Sequence, residues 1–114
     1  MAWLLREGEV LASLEIAASR RDRAAGLLGR SGIEGALLIE AARSVHTIGM
    51  KFPIDVAFVD ADGVVLRTRT LRPWRLTMPV RGASRVVEAE AGTFASWDLQ
   101  PGDKLEVNGE ELSA

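Results

Sequence analysis

The sequence contains no cysteine and no tyrosine, and His46 is its one histidine. Without cysteine there is no disulfide, thiolate nucleophile, cysteine zinc site or iron–sulfur cluster. One imidazole excludes a multi-histidine metal centre within a protomer, so any metal would rest on carboxylates, the ligands of hard cations. No apolar run reaches the length needed to span a bilayer. The opening residues, Met1-Ala2-Trp3-Leu4-Leu5-Arg6-Glu7, lack the basic start and long apolar stretch of a secretion signal, which sets the expectation of a cytoplasmic protein without a membrane partner. Lysine is scarce as well: arginine outnumbers it twelve to two. With abundant Ala and Gly, that is the composition of a GC-rich bacterial genome. A net charge of −2 gives no global field toward nucleic acid. Nothing in the residues asks for a cofactor or a metal.

What is present suits one domain, 1–114, with a core over about 3–108 and a loose tail at 109–114. Trp3 to Ala17 alternates around Glu7-Gly8-Glu9 and predicts a β-hairpin with Val10, Ala12, Leu14 and Ile16 on its inner face. Ser19 is placed to cap a helix from Arg20 to about Gly29, with Asp22 in its first turn. Strands are expected at Ala36–Glu40, from about Arg43 to Gly49, at Ile54–Val59, from Val64 to about Leu71, at Arg85–Ala91 and at Lys104–Val107. Arg72–Gly82 reads as an irregular loop. Thr93 is placed to cap a single helical turn through Trp97. The sum is a mainly β fold, a small antiparallel sandwich or barrel of about seven to eight strands with one short helix packed on it.

Several segments, taken in order, resemble one family. They are Arg23-Ala24-Ala25-Gly26-Leu27-Leu28-Gly29-Arg30, the stretch from Ser44 to Asp60, Asp62-Gly63, Val87-Glu88-Ala89-Glu90-Ala91-Gly92 and Leu99-Gln100-Pro101-Gly102-Asp103. Their order and spacing are similar to the domain of unknown function 192 family, an uncharacterised bacterial and archaeal family, over roughly Leu11 to Val107. The resemblance implies a small mainly β domain whose helix carries an R-x-x-G-L-x-x-R element, and it implies no established activity. Many relatives carry an N-terminal signal or anchor. Many also read F-W-M-x-N-T where this chain has Ser44-Val45-His46-Thr47.

The candidate site residues are polar groups set in apolar strands. Asp55 lies between Ile54 and Val56, and a buried carboxylate there must find donors. On an alternating strand Ser44, His46, Ile48 and Met50 share one face. A turn at Pro53 would let antiparallel pairing bring Asp55 to His46 and fix its tautomer. That pair is the candidate for catalysis, as in a metal-independent hydrolase or lyase, or else a satisfied polar contact of the core. Arg23 and Arg30, seven apart on the expected helix, would share a face and fork onto Asp55 or Glu88. Glu88 and Glu90 align on one strand face, where they are candidates for a divalent cation or acid–base work, or are simply a solvated pair. Between Gly63 and Val87 lie six arginines and no acid. Of these Arg67, Arg69, Arg72 and Arg75, beside Trp74, suit an anionic partner, though one aromatic on an acidic chain makes nucleic acid the weaker choice. The leading expectation is therefore a binding or accessory domain with a polar cleft of Arg23, His46, Asp55 and Glu88. Arg30 would assist and Trp74 would sit on a rim loop, the occupant being a small anionic ligand or a protein.

Overall fold

A computed structural model of the chain describes residues 2–109. Strands β1 (Ala2–Arg6) and β2 (Glu9–Ala17) form the expected hairpin. Its turn residues Glu7 and Gly8 both have positive φ, 51° and 79°, the two-residue geometry that matches strand twist. A bulge between Leu4 and Leu5 skips Leu11 in the register. Leu11, Leu14 and Ile16 therefore pack inward, while Val10, expected on that face, is exposed.

Helix α1 (Arg20–Ala25) starts as predicted, with Ser19 Oγ accepting from Asp22 N at 3.1 Å. It does not run to Gly29. Gly26 has φ 49° and ψ −126°, a conformation reserved for glycine, and the chain leaves the helix there. β3 (Ala36–Glu40) then pairs parallel with β2, so the sheet is not wholly antiparallel. The connection that carries α1 makes this possible, since a parallel pair needs a crossover. β4 (Ile54–Val59), β5 (Val65–Leu71), β6 (Arg85–Glu90), helix α2 (Thr93–Trp97) and β7 (Leu105–Gly109) complete the described chain. There are thus two short helices rather than one. Gly109 belongs to a strand; the remainder of the tail expected to be loose lies outside the described residues.

The strands make one curled sheet in the order β5-β4-β6-β3-β2-β1-β7. Its ends approach at a seam, where Val64 bridges Lys104 and Leu105 N donates to Gly63 O at 2.8 Å. Gly63 is required there. Its φ is 91°, and a Cβ would stand 2.5 Å from the Leu105 carbonyl oxygen. Gly63→Ala is expected to cost about 2 kcal/mol in urea denaturation, more than Gly102→Ala. Gly102 also has positive φ, 97°, but open space around its Cβ position.

Each face of the sheet carries its own apolar cluster. Inside the curl, Leu4, Leu14, Leu38, Ala57, Val59, Val87 and Leu105 pack with Phe94 of α2. On the outer face Leu37, Ile39, Ile54, Val56, Phe58 and Val86 are covered by Leu27, Val45, Met50 and Phe52 from the connections. β4 and β6 are buried on both faces, which explains the near-continuous apolar reading of β4.

The strand expected over 43–49 is instead part of a ribbon outside the sheet. Thr47 N donates to Arg75 O, Thr77 N to Val45 O and Val80 N to Arg43 O. The buried hydroxyls of Thr47 and Thr77 tie its two halves together, and His46 bridges Leu76. Ser44, His46 and Ile48 share a face, as their alternation predicts, and that face is exposed. Met50 leaves that face and is buried, because Met50 N turns back to Thr47 O.

Candidate functional site

Asp55 and Glu88 lie on opposite faces of the sheet. Along β4, Ile54, Val56 and Phe58 point outward, so Asp55 points into the curl with Ala57 and Val59. There its carboxylate is fully engaged. Oδ1 accepts from Thr70 Oγ1 at 2.7 Å, and Oδ2 accepts from the backbone N–H of Gly92 and of Phe94, both at 3.0 Å. Asp55 thus caps α2 from a neighbouring strand. The expected cap by Thr93 is not made: Gly92 holds the N-cap position, and no side chain of the helix closes it. Arg6 of β1 holds the other end, donating to Trp97 O at 2.7 Å and to Asp98 O at 3.3 Å, and pairing with Asp103 at 3.0 Å. A hydrogen bond from Gln100 N, joined by Arg6, holds the Asp103 carboxyl below its ordinary range. A helix of five residues cannot hold itself, and charged side chains of the sheet fix it at both termini.

The expected pairing of Asp55 with His46 is therefore not made. His46 sits on the ribbon outside the sheet, and Asp55 has given its acceptors to α2 and Thr70. Nor does Asp55 meet an arginine of α1. Arg30 forks onto Glu15 instead, at 3.0 and 2.8 Å, because the chain leaves the helix at Gly26 and no longer keeps Arg30 on the face of Arg23. That exposed pair lowers the Glu15 carboxyl and raises the Arg30 guanidinium relative to their ordinary values.

On the outer face a pocket of about 290 Å³ brings together Arg23, His46 and Glu88. Its walls come from α1 and the turn after it (Arg20, Arg23, Gly26, Leu27, Leu28), from Ile39 and Glu40 of β3, and from the 41–50 segment (Ser44, Val45, His46, Ile48, Met50). Glu88 is part of its floor. Its strand neighbours are Leu37 on β3 and Val56 on β4, and only 3% of its surface is exposed. Gly26 passes so close that a Cβ there would lie 3.6 Å from Glu88 Oε1. Oε1 has no hydrogen-bond partner among the described residues, and neither does the buried Nε of Arg23. Burial pushes the Glu88 carboxyl up from 4.5 to about 7.

Leu28 and Ile48, about half exposed, give the pocket an apolar rim. Glu90, expected to align with Glu88, is exposed beyond the floor. Among the described residues no three His, Asp or Glu side chains converge on one point. Trp74, 65% exposed at φ 66°, does not line the pocket. Arg67, Arg69, Arg72 and Arg75 are exposed along β5 and the segment after it. No described helix is long and apolar enough to cross a membrane. Sequence reasoning missed Arg20 and Glu40 as pocket residues. Arg20 had a signal, since it lies three residues before Arg23 on a helix and so on the same side; Glu40 had none.

A family model described as Uncharacterized ACR matches residues 3–107. A UPF0127 protein of Pyrococcus furiosus is 37% identical over 65 residues, which is 57% of this chain and 56% of that protein. Another from Pyrococcus abyssi is 36% identical over 63 residues, 55% of this chain and 54% of the relative. The matched region thus spans about half the length of these curated relatives. Among solved structures, a protein of unknown function from Novosphingobium aromaticivorans superimposes with a TM-score of 0.78 at 23% identity, covering 92% of this chain and 82% of the other. A Sinorhizobium meliloti protein, described as a candidate transcription regulator, also gives 0.78, at 21% identity over 93% and 91%. At such identities the likeness is one of fold.

Proposed function

The chain belongs to the domain of unknown function 192 family, and from that premise we propose that it is a small-molecule binding or accessory domain using the outer-face pocket. One observation carries the reading: a buried carboxylate oxygen, Glu88 Oε1, lies in the pocket without a donor. Buried polar atoms are nearly always paired, and leaving one unpaired costs about 1–3 kcal/mol. A ligand that donates to Glu88 would recover that cost. Arg23 and His46 belong to the same site in this proposal, with Arg20 and Ser44 added. Asp55, Arg30 and Trp74 do not. The reading treats residues 1–114 as one domain and the curl as a barrel closed at the Gly63–Leu105 seam. It places the protein in a bacterial cytoplasm, which its arginine-rich composition suits.

The test is an NMR titration of the 15N-labelled protein with a panel of small polar and amphipathic compounds. Binding is expected to move the amides of Gly26, Leu28, His46 and Glu88. Ser44→Trp, which places a bulky ring at an exposed wall position, is expected to abolish those shifts while the fold is retained. Shifts confined to other surfaces, or shifts that survive Ser44→Trp, would overturn the proposal.

A further inference from the structure

Resting on the pocket reading above, we infer that the ligand is a small zwitterion of the amino-acid class, its ammonium group on Glu88 and its carboxylate on Arg23. Two unsatisfied groups of opposite character occur at one pocket. Glu88 Oε1 is an acceptor without a donor, and Arg23 Nε is a donor without an acceptor. They do not satisfy one another, since no hydrogen bond or ion pair joins these side chains among the described residues. A ligand with only an anionic group leaves Glu88 unpaired and adds like charge to the pocket. A ligand with only a cationic group leaves Arg23 unpaired. A molecule carrying both groups meets each demand, and a carboxylate suits guanidinium geometry.

The rest of the pocket fits such a molecule. Ile39, Val45 and Met50 offer apolar wall for a side chain. A volume of about 290 Å³ stands at the small end of ligand pockets, the scale of a single amino acid. Ammonium is preferred to a neutral hydroxyl at Glu88 because opposite charges attract more strongly where water is excluded. An apolar amino acid such as leucine combines all three features.

Calorimetry on the full chain would compare leucine with 4-methylpentanoate, which lacks the amine, and 3-methylbutylamine, which lacks the carboxylate. Leucine is expected to bind at least about tenfold more tightly than either. Glu88→Gln and Arg23→Gln, both checked for fold by circular dichroism, are each expected to weaken it about tenfold or more. Comparable binding of either truncated analogue, or leucine binding that Ser44→Trp does not abolish, would overturn the zwitterion. If all three fail while other panel compounds still move the pocket amides, the zwitterion falls and the pocket stands. If no compound moves those amides, both readings fall.

Discussion

Asp55→Ala is expected to lower unfolding stability by about 3–5 kcal/mol, and His46→Ala by less than about 0.5 kcal/mol, in urea denaturation at neutral pH. The aspartate carries three hydrogen bonds from donors that lie in or beside the core. Its removal strands Phe94 N–H, Gly92 N–H and the Thr70 hydroxyl, and each loss costs about 1–3 kcal/mol before any partial rescue by water. It also frees the N-terminus of α2, whose Phe94 fills the interior of the curl. Asp55→Asn keeps one acceptor oxygen and loses the charge, so a smaller loss of about 1–2 kcal/mol is expected. His46 is exposed and makes its contacts through the ribbon backbone. A double-mutant cycle should therefore find Asp55 and His46 additive within about 0.5 kcal/mol. A coupling well above that would mean the two side chains communicate, contrary to their placement, Asp55 inside the curl and His46 on the ribbon outside the sheet.

The same residue shows how far the sequence could be read. A carboxylate between Ile54 and Val56 had to be paired, and that inference needed only burial arithmetic. Its partners were out of reach because two of the three are backbone N–H groups, which leave no trace in residue identity. The alternation rule placed Ser44, His46 and Ile48 on one face correctly, since it depends on local geometry alone, but it did not say that this face is exposed. It failed at Met50, where a turn intervened. Strand positions other than 43–49 were legible for the same local reason, but the parallel pairing of β2 with β3 is a tertiary choice. The early end of α1 turned on Gly26: a glycine inside a helical pattern is ambiguous until its φ is known. That one residue decided both the fate of Arg30 and the close approach over Glu88.

Glu88 should make the protein less stable as pH rises, which is the reverse of the usual carboxylate. Below about pH 4.5 the group is neutral in both states and imposes no electrostatic penalty. Between 4.5 and about 7 the unfolded chain has released the proton while the folded chain still holds it. The folded state then binds more protons, so stability falls by about 1.4 kcal/mol per pH unit. Above about 7 both states are ionised and the loss levels off at about 3 kcal/mol. Glu88→Gln should abolish this slope, so the variant gains on the parent across the window and holds its gain above it. Arg20 and Arg23 of α1, Glu40 of β3 and His46 of the ribbon line the same pocket. Removing the imidazole from both proteins leaves Glu88 as the one difference between them. The comparison is therefore made in a His46→Gln background by urea denaturation from pH 4.5 to 8.5. Parallel curves for the two proteins would show that Glu88 is ionised throughout, hence already paired or hydrated. In that case the unsatisfied oxygen on which the pocket proposal rests would not exist.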